Sequence, residues 1–281
     1  MIVVRTVAEL RGALSSRRDG SIGLVPTMGA LHEGHATLLR AARATDATVV
    51  MSIFVNPTQF TEQADLAAYP RTEGADLTIA EAEGVDVVFA PDAAEVYPTG
   101  FATSVSVAGP IAETLEGAER GRAHFDGVAT VVTKLLLASL PDHAYFGAKD
   151  AQQVAVIRRF VGDLGIPVEI VVCPTSRDAD GLARSSRNVR LTPDERSRAL
   201  AIPRALDAVR DAAARGFADT GALRARALEE LEAAGIHPEY VAFVDPDTFA
   251  PVAAVAGPVL VAVAARVGAT RLIDNTVIGG A

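Results

Sequence analysis

The sequence is poor in the features that mark secreted, membrane-bound and nucleic-acid-binding proteins. It contains a single cysteine, Cys173, so no intramolecular disulfide can form and a reducing, cytoplasmic environment is expected. Positive charge is scarce, because 26 Lys and Arg residues face 35 Asp and Glu residues, which leaves a formal charge of −9 at pH 7. That balance argues against nucleic acid or an anionic membrane as the main partner. A phosphate ligand stays possible, since it needs only a local cluster of positive groups.

Long uninterrupted apolar runs are also missing. The N-terminal stretch MIVVRTVAELRGALSSRR carries charges throughout, which is not typical of a signal peptide. The most apolar stretch, PVAAVAGPVLVAVAARV at residues 251–267, is interrupted by Gly257 and Pro258 and indicates buried strands rather than a membrane span. The 281 residues are 49% hydrophobic and 22% charged, a composition typical of globular domains with an ample core.

Up to about residue 175, strand-like runs rich in Val and Ile alternate with helical patterns. The strand-like SIGLVPT (21–27) precedes the helical HATLLRAARAT (35–45), which precedes the strand-like ATVVMSIFV (47–55). The same alternation continues to VEIVVC (168–173). It predicts an α/β fold, a Rossmann-like parallel sheet with helices on both faces. Ligands of such sheets bind at the carboxyl ends of strands, near helix N-termini.

The composition changes near residues 174–180. The segment 191–216 opens with Thr192, Pro193 and Glu195, a capping box with Pro at the first helical position, and predicts a helix. A second helix is predicted over 222–235, and three strand-like runs with antiparallel partners follow. We therefore predict two domains: a Rossmann-like domain over 1–176, and over 177–281 a small α+β domain suited to closing over a ligand held by the first.

The stretch VPTMGALHEGH (25–35) places His32 and His35 three residues apart at the predicted start of a helix. There they share one face of a helix N-terminus, where unpaired N–H groups and a positive dipole suit an anion. A zinc-protease motif is excluded, because it needs histidines at i and i+4. A metal site with another spacing has few candidate ligands, since the chain has only five histidines. Phosphate binding and an ordinary helix start with two partly exposed histidines stay equally open on this pair alone.

Four other segments place polar residues at predicted strand ends or in loops. They are SIFVNPTQF (52–60), AYPRT (68–72), AYFGAKDAQQ (144–153) and RDADGLARSSRNVRL (177–191). In AYFGAKDAQQ, Lys149 can neutralise phosphate charge, and Asp150 can accept hydrogen bonds from ribose hydroxyls. In RDADGLARSSRNVRL, the hydroxyls of Ser185 and Ser186 and the guanidinium of Arg187 suit a phosphate clamp. Singly, each segment is as well explained by a capped turn, a surface hinge or a packed loop. Their joint occurrence at strand ends favours a ligand site.

Together these segments resemble the pantothenate synthetase family. PTMGALHEGH, SIFVNPTQF, YPRT, HFDGVATVVTKL, YFGAKDAQQ and DADGLARSSRN occur in the family's order and cover almost the whole chain. The C-terminal VAVAARVGATRLIDN resembles the family's closing strands. The HxGH pair and the Ser-Ser-Arg-Asn segment further resemble the two signatures of nucleotidylyltransferases and class I aminoacyl-tRNA synthetases.

The resemblance implies an ATP-dependent ligase that joins (R)-pantoate and β-alanine into pantothenate, in the pathway to coenzyme A. The reaction would pass through a pantoyl adenylate and release AMP and pyrophosphate. The resemblance also implies ATP as a substrate, Mg²⁺ bound with the ATP, and a homodimer in the cytoplasm. Residues 1–176 would bind ATP and pantoate. A nucleotide-binding regulator, or another nucleotidylyltransferase of the same fold, is the alternative.

The family's site residues carry over position by position. His35, His32 and Lys149 are implied to be catalytic. The implied ATP-binding residues are Met28, Gly29, Ala30, Leu31, His32, Glu33, Gly34, His35, Gly147, Ala148, Lys149, Asp150, Ser176, Arg184, Ser185, Ser186 and Arg187. The implied pantoate-binding residues are Met28, Gln59 and Gln153, with Gln59 also at the β-alanine site, and no metal ligand of the protein is implied. Arg184 stands where the family usually has Met, and Ser176 where it often has an apolar residue.

Overall fold

The structure, a computed structural model, describes residues 1–60 and 63–280. Within this part, the chain divides into two compact units. The first comprises Met1–Ala148 and Val156–Pro174, and the second comprises Lys149–Ala155 and the described residues from Thr175 onward. The domain boundary between residues 176 and 177 stays a prediction.

The strands and most of the helices of the first unit lie before residue 175. Its strands are β1 (Ile2–Val4), β2 (Ile22–Thr27), β3 (Thr48–Ile53), β4 (Val87–Phe89), β5 (His143–Gly147) and β6 (Glu169–Cys173). The helices up to this point are α1 (Val7–Ser15), α2 (Glu33–Thr45), α3 (Gln63–Ala68), α4 (Glu73–Ala82), α5 (Ala93–Val96), α6 (Pro110–Glu113), α7 (Glu116–Arg120), α8 (Arg122–Ser139) and α9 (Ala151–Asp163), the last of which spans both ranges.

The six strands of the first unit form one parallel sheet in the order β1-β4-β3-β2-β5-β6. Consecutive residues of β2 and β3 are buried, as expected for strands covered by helices on both faces. This confirms the predicted α/β fold. The order of connection reverses between β2 and β5, which makes the carboxyl ends of these two strands the topological switch point where such sheets bind ligands.

The second unit contains a three-stranded antiparallel sheet and helices, which confirms the predicted small α+β part. Its elements are α10 (Pro193–Ala199), α11 (Ala201–Ala214), α12 (Thr220–Ala233), β7 (Pro238–Val244), β8 (Val259–Val267) and β9 (Thr270–Ile278), with the sheet order β7-β8-β9. Its buried core joins the apolar faces of α11 and α12 to β8.

The single helix predicted over 191–216 is wrong in one respect, because α10 and α11 are separated at Leu200. Pro203 gives the physical reason. In one continuous helix, Pro203 could not donate a hydrogen bond to the carbonyl of Ala199, and its ring would clash with that carbonyl. In the first turn of a new helix, neither problem arises. The predicted capping box at Thr192 is present. Within the described residues, no helix combines the length and apolar character needed to cross a bilayer.

Candidate active site

Residues 28–35, here called the histidine turn, run from the carboxyl end of β2 into the first turn of α2. Gly29 and Ala30 have positive φ angles of 77° and 51°, so the chain reverses sharply after the strand. Helix α2 then begins at Glu33 with His32 as its N-cap. The structure therefore places both histidines at a helix N-terminus, at the switch point of the sheet.

The two histidines cap α2 reciprocally. His32 Nδ1 accepts the Gly34 N–H at 3.1 Å, and His35 Nδ1 accepts the His32 N–H at 3.2 Å. This is the arrangement of a capping box, with imidazoles in place of the usual hydroxyl and carboxylate. A nitrogen that accepts an N–H hydrogen bond carries no proton, so Nε2 carries the proton of each neutral ring. The ring centroids are 4.2 Å apart, which gathers two N–H donors at the positive end of the helix dipole.

We expect the unliganded protein to show both His32 and His35 as the Nε2–H tautomer. The reason is that each Nδ1 accepts a backbone N–H within the cap of α2. Long-range ¹H–¹⁵N spectra of histidine-labelled protein, recorded where the rings are neutral, distinguish the two nitrogens. Exposed His237 serves as the internal control and should show mixed tautomers. An Nδ1–H signal from either turn histidine would contradict the cap.

Gln59 and Met28, two of the predicted pantoate contacts, lie side by side. Gln59 Nε2 is 3.0 Å from Met28 Sδ, and Gln59 Oε1 accepts from Asn56 Nδ2 at 3.1 Å. Asn56 is itself 1% exposed, and it bonds to the Gly127 carbonyl at 3.1 Å and to the Tyr97 hydroxyl at 2.8 Å. The amide of Gln59 is therefore held in one orientation by a buried polar network.

The turn that carries Gln59 is packed directly against α8. A Cβ on Gly127 would lie 2.6 Å from the Thr58 carbonyl and 2.7 Å from the Gln59 nitrogen, so only glycine allows this approach. His124 Nδ1 lies 2.8 Å from the Gln59 carbonyl oxygen. Burial also raises the pKa of the nearby Tyr97 hydroxyl. Sequence analysis assigns no role to His124, Gly127 or Tyr97, and the only signal for the first two is the HFDG motif that contains them.

Gly147 is the last residue of the switch-point strand β5 and Ala148 follows it, and both belong to the first unit. Among the described residues, no heavy atom beyond the chain neighbours of Gly147 lies within 4 Å of a Cβ built on it. Backbone groups at this point can therefore be approached closely. The ATP contacts of both residues stay a prediction.

In the second unit, Lys149 and Asp150 end a one-turn 3₁₀ helix (Ala148–Asp150) that leads into α9. Lys149 Nζ lies 3.4 Å from Asp150 Oδ2, and the lysine side chain is 19% exposed. The Lys149 carbonyl accepts a hydrogen bond from Asn275 Nδ2 at 2.8 Å, which ties this segment to β9. Gln153 is half-buried on the first turn of α9.

Residues 176–188, here called the clamp segment, fold back on themselves. Arg177 and Ala183 form an antiparallel bridge, and the Arg184 N–H donates to the Ser176 carbonyl at 2.9 Å. The segment is thus a short hairpin, in which Ser176 and Arg184, two of the predicted ATP contacts, are neighbours.

The side chains of the clamp segment have defined partners. Arg184 Nε donates to the Arg177 carbonyl at 3.1 Å and lies 3.3 Å from Asp178 Oδ1, so its charge is paired inside the segment. Ser185 Oγ accepts the Arg187 N–H at 3.2 Å and caps the short 3₁₀ helix Ser186–Arg190. The positive charge of Arg184 is therefore paired with a carboxylate of the same hairpin.

The clamp segment is anchored to β9 by a bidentate ion pair. Arg177 Nη1 and Nη2 donate to the two Asp274 oxygens at 2.6 and 3.0 Å. The Asp274 side chain is only 2% exposed, and this hydrogen-bonded carboxylate raises the pKa of the Arg177 guanidinium.

We expect Asp274→Asn to lower the free energy of unfolding by roughly 1.5–3 kcal/mol, because one charge-assisted hydrogen bond is lost and a buried amide group is left mismatched. Urea denaturation measures this. Arg210→Gln is the control, since its ion pair with Asp207 has side chains 54% and 56% exposed and should change stability very little. Equal effects of the two substitutions would contradict the anchoring role.

Residues 2–277 match the family model for pantoate-beta-alanine ligase. Over 279 residues the chain is 51% identical to a pantothenate synthetase of Roseiflexus castenholzii, and the match covers 99% of both proteins. The chain belongs to the pantoate-beta-alanine ligase family. The family resemblance read from the motifs is thereby confirmed, and neither a regulator nor another nucleotidylyltransferase is favoured.

Solved members of the pantoate-beta-alanine ligase family share the fold. The crystal structure of pantothenate synthetase from Thermus thermophilus superposes with a TM-score of 0.92 at 48% identity, over 98% of this chain and 99% of that one. The ligase from Francisella tularensis, solved in complex with beta-gamma ATP and beta-alanine, has a TM-score of 0.81 at 35% identity over 98% and 97% of the two chains. In the part of this chain that is described, no three His, Cys, Asp or Glu side chains are grouped as a metal site.

Proposed function

We propose that this chain, an enzyme of the pantoate-beta-alanine ligase family, joins (R)-pantoate to β-alanine through a pantoyl adenylate. In the first step a carboxylate oxygen of pantoate bonds to the α-phosphorus of ATP while the bond to pyrophosphate breaks. In the second step the neutral amine of β-alanine attacks the acyl carbon, AMP leaves with the C–O electron pair, and the nitrogen loses a proton. The Francisella relative, solved in complex with beta-gamma ATP and beta-alanine, supports these substrates.

The reciprocal histidine cap is the observation that carries the first step. Negative charge moves onto the phosphate oxygens as pyrophosphate leaves, so donors aimed in advance at those oxygens stabilise the transition state. His32 and His35 present Nε2–H donors from a helix N-terminus, where the dipole favours the same charge. Because each Nδ1 is held by a backbone N–H, the rings need no reorganisation before they donate. Following the family resemblance, we assign the role of proton donor to His35, whose Nε2–H is proposed to be shared with a phosphate oxygen in a hydrogen bond.

The other roles follow the family resemblance. Lys149 is proposed to stabilise the α-phosphate, and Gly147 and Asp150 to hold the ribose. The ATP phosphates are assigned to Ser185, Ser186 and Arg187, with further nucleotide contacts from Gly29, Ala30, Leu31, Glu33, Gly34, Ala148, Ser176 and Arg184. Pantoate is assigned to Met28, Gln59 and Gln153, because amides that both donate and accept suit its hydroxyl and carboxylate groups.

We also propose that Mg²⁺ arrives with ATP, held mainly by phosphate oxygens and water, which is the usual coordination of this ion at nucleotide sites. Bound there, it would neutralise phosphate charge. The protein is proposed to work as a homodimer in the cytoplasm, in keeping with the family resemblance and the single cysteine. Analytical ultracentrifugation tests the dimer directly.

A coupled assay for AMP, with ATP, pantoate and β-alanine omitted in turn, tests the function. We expect sustained AMP formation only with all three substrates. Without β-alanine, a single turnover should release pyrophosphate and leave the adenylate bound. Continuous AMP or pyrophosphate release without β-alanine would contradict the ligase mechanism, and ATP binding without any pyrophosphate release in the presence of pantoate and Mg²⁺ would contradict catalysis altogether.

A further inference from the structure

Asp76, in the first turn of α4, is a buried carboxylate that holds the histidine turn from the side. The residue is 1% exposed. Its Oδ2 accepts the Ala30 N–H at 3.0 Å, and its Oδ1 accepts the Leu31 N–H at 2.8 Å. One side chain therefore binds two consecutive backbone amides immediately before His32.

The surroundings of Asp76 fix its own orientation. Thr72 is the N-cap residue of α4, yet its side chain makes no capping hydrogen bond. Instead, Thr72 Oγ1 lies 3.2 Å from each of the two Asp76 oxygens. The position of Asp76 in the first helical turn also suits a negative charge. The Thr72 hydroxyl, which would ordinarily cap the helix, thus donates to the Asp76 carboxylate instead.

The turn that Asp76 holds does not have a favourable conformation of its own. Ala30 has a φ of 51°, which is unfavourable for a residue with a Cβ. Beside it, a Cβ on Gly29 would lie 2.9 Å from Asp76 Oδ2 and 3.2 Å from the Ile53 side chain, so the carboxylate packs against the turn as well as bonding to it. An external partner, rather than local preference, keeps this conformation.

We propose that Asp76 is a positioning residue, which sets the direction of the His32 and His35 rings by fixing the backbone that leads into them. Leu31 is covalently joined to His32, and the His32 N–H is itself bonded to His35 Nδ1 at 3.2 Å. A shift of the turn therefore reaches both rings. The expected effect on rate rests on the proposed function, whereas the expected effect on the rings does not.

Asp76→Asn is the decisive substitution. The amide has nearly the same size, but its NH₂ group cannot accept, so either the Ala30 or the Leu31 N–H loses its partner inside the protein. We expect the unliganded variant to lose the uniform Nε2–H tautomer of the two rings in long-range ¹H–¹⁵N spectra. We also expect kcat to fall by about 100-fold, the cost of misplacing reacting groups by about 1 Å. The KM for pantoate should change by a much smaller factor than kcat, because Gln59 is held by Asn56, which lies outside the histidine turn.

Asp86→Asn is the matched control. Asp86 Oδ2 accepts the Val49 N–H at 2.9 Å and pairs with Arg43 at 2.8 Å elsewhere in the first unit. This variant should lose a comparable amount of thermal stability and keep both the histidine spectrum and kcat. The proposal is overturned if Asp76→Asn retains the wild-type histidine spectrum, or if its kcat falls no further than that of the control.

A second variant covers the case in which Asp76→Asn does not fold. Thr72→Val leaves both backbone amides bonded to the carboxylate and removes only the hydroxyl. It should change the same histidine signals by a smaller amount, and an unchanged spectrum would then overturn the proposal. If the wild-type enzyme shows no ligase activity, the proposed function fails, but the ring tautomers of these variants still decide the role of Asp76.

Discussion

Replacing His35 with glutamine is expected to lower the rate of pantoate-dependent pyrophosphate release by roughly 10²–10³-fold while leaving the cap of α2 in place. Glutamine at the third helical position is the natural partner of a capping box, so its carbonyl oxygen can accept the His32 N–H that Nδ1 now accepts at 3.2 Å. What the substitution removes is the Nε2–H donor. Single-turnover measurement of pyrophosphate release, without β-alanine, isolates the affected step.

His35→Ala is the comparison that separates chemistry from stability. It removes the donor and the cap together, so it should show the same loss of rate and an additional loss of about 1 kcal/mol in the free energy of unfolding. Thermal denaturation of both variants measures the difference. A glutamine variant with near wild-type turnover would rule out the assigned role, and a glutamine variant that loses stability as much as the alanine variant would indicate a purely structural one.

Replacing Lys149 with methionine is the second large effect, with an expected loss of roughly 10²–10³-fold in the rate of adenylate formation. Methionine nearly preserves the length and apolar stem of lysine but has no charge to offer a phosphate. Lys149 is 19% exposed and its carbonyl is tied to Asn275 at 2.8 Å, so the backbone that carries the side chain is anchored. The substitution should therefore change charge and leave position unchanged.

The chain offers a clean control, because its only other lysine is Lys134 on α8. Lys134 Nζ lies 4.7 Å from the centre of the Phe101 ring. Lys134→Met should leave the rate unchanged and cost about 0.5–1 kcal/mol of stability through the lost cation–π contact. If both lysine variants lose activity equally, the loss reflects net charge or folding and the role assigned to Lys149 is wrong.

The secondary structure of the first unit could be predicted because its local patterns agree with its tertiary environment. Val- and Ile-rich runs separated by amphipathic helices are stable chiefly as a parallel sheet covered on both faces, and β2, β3, β5 and β6 formed where those runs occur. The division of the predicted helix at Leu200 shows the limit of that approach. The capping box is a strong local signal for the start of the helix, but Pro203 interrupts it because its ring would clash with the carbonyl four residues earlier.

The sequence predicts the candidate site as a set of segments and says nothing of the contacts that hold them. Its motifs point to the histidine turn, Gln59, Lys149 and the clamp segment, since each has a composition suited to an anion or a polar ligand, and the roles of these residues stay predictions. Asp76 carried no comparable signal, because an acidic residue in the first turn of a helix is ordinary. Its role arises from hydrogen bonds to residues 45 and 46 positions earlier in the chain.

By itself, the sequence determined the fold class and the family, and it predicted which segments carry the site, because these depend on periodicity and on short motifs with their own chemistry. Only the tertiary structure decided how those segments are held. The histidines are oriented by exchanging backbone hydrogen bonds with each other, and Gln59 by the buried Asn56. Arg184 is paired with Asp178 across a hairpin. Hydrogen bonds act over about 3 Å between groups distant in the chain, so their partners exist only once the chain has folded.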